Sequence, residues 1–158
     1  MSAAAIMTYP DFYKAAVASA GNHDNRVYNK GWVEIHFGVN EQKTEVKDSL
    51  GNTHTEYSYS VSTRPNQDLV KNYKHGLLLV TGLMDDTVNP SHTFRLADAL
   101  IKQHKDFEML TLPTCSHGYS GKSELFYEHK MWRHFVKNLL GDESVNDNAD
   151  LNIYMNKK

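Results

Sequence analysis

The chain has 158 residues, 40% of them hydrophobic and 23% charged, which is enough apolar content for one domain with a core and excludes a disordered chain. Lys and Arg total 17 against 19 Asp and Glu, so the net charge of -2 offers no basic field for nucleic acid and no acidic tail for a basic partner. The single cysteine, Cys115, excludes an internal disulfide and leaves the compartment open.

The N-terminal MSAAAIMTYP is too short for a membrane span and lacks the basic start of a signal peptide, so this chain is expected to carry neither. Its Ala-rich part predicts a helix over Ser2 to Met7, ended by Tyr9-Pro10 because proline disfavours a helical residue ahead of it. FYKAAVASAG predicts a short buried strand from Ala15 to Ala20, closing on Gly21 before the polar loop NHDNR. Between Gly31 and Asp68 the pattern weakens: GWVEIHFGV is amphipathic, KTEVKDSLGNTHTEYSYS suggests a hairpin turning at Gly51-Asn52, and STRPNQD reads as loop.

HGLLLVTG then predicts a strand buried on both faces. NPSHTFRLADALIKQHKDF predicts a helix: Asn89 caps it, Pro90 suits its first position, and Phe94, Ala97 and Ile101 recur at helical spacing. Lys102 and Lys105 sit where a helix C-terminus favours cations. A further strand, FEMLTLP, leads to the loop TCSHGYSG. A last helix runs from about Ser123 to Leu140 and stops at Gly141, with Leu125, Trp132, Val136 and Leu139 on a face expected to be core. The polar residues 142–158 are expected to form a loose tail.

This alternation predicts an α/β fold, a short parallel sheet flanked by helices and joined by right-handed crossovers, with its chemistry at the carboxyl ends of the strands. Asp85 and Asp86 follow one strand and His117 follows the next, so the fold brings an aspartate and a histidine together. A carboxylate on one imidazole nitrogen fixes the tautomer and leaves the other nitrogen to take a proton from a nucleophile. In α/β-hydrolases the order is serine, acid, histidine, with the serine on a G-x-S-x-G elbow between strand and helix. No G-x-S-x-G occurs here, and GYSG at Gly118 to Gly121 follows the histidine rather than a strand. The small-residue helix at the front is of the kind that follows such an elbow.

Simpler roles exist for the same residues. An Asp-Asp pair after a strand is commonly a turn and cap device, and His117 is one of nine histidines. His23 and Asp24 in NHDN suggest a metal only weakly, since no two histidines lie at close ligand spacing on a predicted helix; a polar loop at the site's rim is the favoured reading. Cys115 precedes His117 on the wrong side of the triad order and reads as a small loop residue.

TYPDFYKAAVASAGNHDNR, LLLVTGLMDDTVNPSHTFRLADALIKQHKDFEMLTLP, SHGY and MWRHFVKNLLG together resemble the C-terminal half of the catalytic domain of the prolyl oligopeptidase family, nearest its dipeptidyl peptidase IV-like members. The likeness covers most of residues 1 to 140 and is thinnest between Asn40 and Asp68. The family's usual motif, His-Gly-x-x-Asp-Asp-x-Val, has Thr81 in place of its histidine, and its first aspartate, the catalytic acid, maps to Asp85. The resemblance implies that His117 is the general base, that Asp86 is a turn residue, and that Val88 and Ala20 line the pocket for the residue preceding the cut. The family's serine and its propeller domain map to nothing in this chain.

The resemblance therefore implies a fragment of a serine-type dipeptidyl peptidase, inactive alone, whose parent removes Xaa-Pro or Xaa-Ala dipeptides from peptide substrates without a cofactor. Family members are often periplasmic or extracellular. A noncatalytic interaction module on a hydrolase framework and a small-ester hydrolase are the other classes that fit. In a complete hydrolase the strand at Ala15 to Ala20 pairs with the elbow strand, so an open edge and a homo-oligomer are expected here.

Overall fold

The structure, a computed structural model, describes residues 1–144. In chain order its elements are α1 (Ser2–Thr8), β1 (Ala16–Ser19), α2 (Lys30–Phe37), β2 (Asn40–Lys47), β3 (Thr53–Ser60), β4 (Leu77–Gly82), α3 (Ser91–Lys102), β5 (Glu108–Leu112) and α4 (Gly121–Phe135). They form two compact units, Met1–His23 with the chain from Asn66 onward, and Asp24–Pro65. Beyond residue 144, the expected polar tail lies outside the described residues.

In the first unit a parallel sheet runs β1-β4-β5, with Val17 opposite Leu78 and Leu79 opposite Met109. β4 is central because LLLVTG carries no side chain that needs water, and all of its residues are buried. Strand alternation sends Leu77 and Leu79 to one face, against Ile6 and Met7 of α1 and Leu96 and Leu100 of α3. Leu78 and Val80 face the other way, onto Leu112, Cys115, Tyr119 and Tyr127. The fold is thus α/β, a short parallel sheet flanked by helices.

Part of the core comes from residues 69–73, which follow the expected loop STRPNQD and fall in none of the predicted elements. Asn66–Asn72 forms a 3-10 segment that buries Leu69 and Val70 and delivers Tyr73, fully buried, beneath the sheet. The Tyr73 hydroxyl donates to the Asp106 carbonyl (3.0 Å) and accepts from the Leu77 N–H (3.0 Å), so the buried phenol is satisfied, and burial pushes its pKa up to about 12.

Both long helices are turned differently from the face that periodicity suggests. At the start of α3, Asn89 Oδ1 accepts from the Ser91 N–H (2.9 Å), as an expected capping side chain would, while Pro90, expected at the first helical position, sits at the N-cap just ahead of Ser91 with helical backbone angles. Its buried face, however, is Leu96, Ala97 and Leu100 with His92 and Thr93, while Phe94 and Ile101 are exposed. On α4 the correction is larger: Trp132, expected in the core, is 66% exposed, and Leu139 is exposed too. A polar anchor orients this helix instead. His134 is buried, with Nδ1 at 2.9 Å from Glu108 Oε1 and Nε2 at 3.1 Å from the Gly76 carbonyl, and Lys130 reaches Glu108 Oε2 at 2.8 Å. Burial pulls the Glu108 carboxyl up, but the hydrogen bonds and charges of Lys130 and His134 outweigh it and hold the group below its ordinary range. The helix continues into a π-helical turn, Val136–Leu140, and stops at Gly141 with φ 69°, the left-handed stop that glycine accepts.

In the second unit the amphipathic GWVEIHFGV folds as α2, capped by Asn29, whose Oδ1 accepts from the Trp32 N–H at 3.0 Å. β2 and β3 pair antiparallel from Asn40↔Ser60 to Lys47↔Thr53. Asp48 Oδ1 closes the turn by accepting from the N–H groups of Leu50 (2.9 Å) and Asn52 (2.8 Å), with Gly51 at φ 84°.

Candidate active site

The carboxyl end of β4 is locked to the loop after β5 through the main chain. Leu83 N–H donates to the Leu112 carbonyl (3.0 Å) and Met84 N–H to the Cys115 carbonyl (2.9 Å). Gly82 makes that approach possible, since a Cβ there would lie 2.3 Å from the Cys115 carbonyl oxygen and 2.5 Å from that of Ser116. The chain then turns, and the Asp85 side chain falls inside the turn with no exposed surface.

The Asp85 carboxyl is engaged at both of its oxygens. Oδ1 accepts from the N–H groups of Thr87 (3.0 Å) and Val88 (2.8 Å), and Oδ2 lies 3.0 Å from His117 Nδ1. A carboxylate opposite Nδ1 makes that nitrogen the N–H of the neutral ring and leaves Nε2 as the acceptor. Neighbouring Asp86 is exposed. The structure therefore separates the two aspartates by burial and by partner, a distinction their adjacency in sequence hides.

Val88 is buried and bound through its N–H to Asp85, which puts it in the same turn. Ala20 follows β1, its N–H on the Val80 carbonyl (3.0 Å), and holds φ 46°, a left-handed conformation that costs a non-glycine residue about 1 kcal/mol or more. The NHDN stretch differs from a solvated rim loop. His23 is buried; its carbonyl accepts from the Asn66 N–H (2.9 Å) and its Nδ1 from the Asn66 side-chain amide (2.9 Å), while Asp24 grips Arg26 at 2.9 and 3.0 Å. Among the described residues no three His, Cys, Asp or Glu side chains stand where they could hold a metal ion. Cys115 is buried, with its carbonyl in the β4 lock. The T-G-x-x-D-D context of Gly82 is the sequence signal that goes with this close approach.

The model of the prolyl oligopeptidase family matches residues 1–143. The chain belongs to that family. Among solved structures, a protein assigned as a dipeptidyl aminopeptidase IV from Bacteroides ovatus superposes with a TM-score of 0.69 at 20% identity, over 88% of this chain and 18% of that one. Porphyromonas gingivalis dipeptidyl peptidase 4 gives a TM-score of 0.62 at 22% identity, over 80% of this chain and 16% of that one. These are likenesses of fold, and the family member described here spans less than a fifth of either protein. No curated protein sequence matches the chain. No helix of the described residues is long and apolar enough to cross a membrane.

Proposed function

We propose that this family member is a piece of the catalytic domain of a dipeptidyl peptidase IV-like serine peptidase, contributing the acid and the base of a triad. The observation that carries the reading is the buried Asp85 carboxylate, satisfied by two main-chain N–H groups and placed 3.0 Å from Nδ1 of a half-exposed His117. Asp85 holds the ring in the tautomer that leaves Nε2 free to act. His117 Nε2 takes the proton of a serine hydroxyl as that oxygen attacks the peptide carbonyl, then returns it to the leaving amine; water hydrolyses the acyl-enzyme by the same base. The serine comes from outside these 158 residues, since the chain has no G-x-S-x-G. Val88 and Ala20, on the turns after β4 and β1, line the pocket for the residue before the cut, and the substrates are peptides with proline or alanine second. No step calls for a cofactor.

The test compares the two neighbouring aspartates in the full-length peptidase that contains this chain, using a chromogenic Xaa-Pro substrate. Asp85→Asn is expected to lower kcat by about 10⁴, the cost of the wrong tautomer in a serine triad. Asp86→Asn is expected to stay within about tenfold of the parent, because Asp86 is exposed and the carboxylate on His117 Nδ1 is that of Asp85. Equal impairment, or a worse effect at Asp86, overturns the assignment.

A further inference from the structure

The loop that carries His117, from Cys115 to Ser120, contains neither helix nor strand. Upstream of His117 it is fixed by the Met84 N–H on the Cys115 carbonyl and by the close approach of Gly82. Downstream comes Gly118, where an added Cβ would meet nothing within 4 Å, so no side chain is packed at that position. The next residue, Tyr119, is anchored twice. Its ring packs edge-on against Tyr127 of α4 with centroids 5.0 Å apart, and its hydroxyl oxygen accepts from Ser19 Oγ at 2.8 Å. Ser19 is the last residue of β1, one step before the strained Ala20.

We infer that Tyr119 is a positioning residue, tying the His117 loop to the carboxyl end of β1 and thereby holding the imidazole on Asp85. The inference deepens the acid–base reading above and rests on it. With the tie in place, the loop is held at both ends and His117 has little freedom to swing from the carboxylate. Without it, the downstream end of the loop keeps only the packing of the Tyr119 ring on Tyr127 and loses its link to β1. Burial pushes the Tyr119 phenol up, so its hydroxyl keeps its proton at neutral pH and the contact stays one between two neutral hydroxyls. The same bond makes the β1 turn, which bears Ala20, and the His117 loop move together, so the pocket wall and the base are set by one contact.

The experiment uses the chain itself, labelled with ¹⁵N-histidine, and reads the His117 tautomer and the exchange rate of its Nδ1 proton by NMR. In the unaltered chain His117 is expected as the Nδ1–H tautomer with a proton slow to exchange, and Asp85→Asn is expected to abolish that signature. Tyr119→Phe keeps the ring on Tyr127 and removes only the hydroxyl; it is expected to speed Nδ1 exchange about fivefold, the factor one ordinary hydrogen bond is worth. Ser19→Ala should give the same change, and the double variant no more than either, because both remove one bond. A residue that only packs would lower the melting temperature and leave the His117 signature alone. If Tyr119→Phe fails to fold, Ser19→Ala carries the test. Exchange within twofold of the parent in the folded variants overturns the role of Tyr119 while the Asp85 result still stands. An unaltered chain without the Nδ1–H tautomer overturns the acid–base reading itself.

Discussion

β4 and the β2–β3 hairpin are both regular, fully paired strands, yet they are held by different physics. Every residue of β4 is buried, whereas along β2 and β3 only Val46 is even half-buried. β4 therefore keeps its register through burial on two faces, and a slip by one residue would exchange the whole set of side chains facing each helix layer. The hairpin keeps its register through the Asp48 turn and through contacts such as Lys43 over the Tyr57 ring at 5.5 Å. The first arrangement fixes the position of whatever follows the strand, and Asp85 follows β4.

The largest effect that tests this contrast is a core truncation. Leu79→Ala, at a fully buried position between β1 and β5, is expected to cost about 2–5 kcal/mol, while Thr55→Ala on exposed β3 should stay within about 0.5 kcal/mol. Urea unfolding measures both, and similar losses would erase the distinction.

The next effect is an acid limb that belongs to the first unit, which holds both His23 and Glu108. His23 is driven down to about 4, first by burial and then by the Met1 amine and His92. The unfolded ring takes up a proton near its ordinary value of about 6.5, so between those values the unfolded state binds more protons than the fold. Stability is then full above pH about 6.5 and falls by up to about 3 kcal/mol as the pH drops toward 4. Glu108, whose carboxyl is lowered, adds stability above its unfolded value that is lost as the pH falls through its folded value, so its step lies lower on the same curve. Denaturation midpoints from pH 7.5 to 3 should show the upper step flattened by His23→Asn and the lower by Glu108→Gln; a curve unchanged by either substitution removes these two groups from the acid limb.

The smallest effect concerns the strand edges. β1, with the sequence AVAS, is an uncharged edge of its sheet, while the hairpin carries Glu41, Lys43, Glu45 and Lys47 along β2. Charges discourage pairing between chains and small apolar edges do not, so weak self-association is expected through β1. Light scattering over a concentration series should show a rising average mass, reduced by Val17→Lys. A monomer at high micromolar concentration would mean that β1 is no sticky edge.

The readable parts of the sequence were those where one force dominated. LLLVTG signals a buried strand by composition alone, Asn89-Pro90 marks a helix start by its backbone chemistry, and Gly51-Asn52 marks a turn. Asp85 and His117 were legible because strand ends in a parallel sheet converge, and the family resemblance chose between the two aspartates. What escaped were features set by distant partners. Leu69, Val70 and Tyr73 sit in a polar stretch too short to show a period, and their burial depends on α1 and α3. Trp132 promised a core position, but the contacts of His134 with Glu108 and Gly76 turn α4 another way, and no spacing within the helix records those partners. The tie from Ser19 to Tyr119 joins residues a hundred positions apart and leaves no local trace.

The clasp between His23 and Asn66 has a further consequence. The chain leaves the first unit at one of these residues and returns at the other, and the carbonyl and ring of His23 both hold Asn66. A segment sealed at its base in this way can change length cheaply, because each doubling of a closed loop costs only about 0.6 kcal/mol in chain entropy. Residues 24–65 are thus an insertion between two clasped residues: evolution or a protein engineer can lengthen, trim or replace it while the clasp keeps β1 and the 3-10 segment where the core needs them.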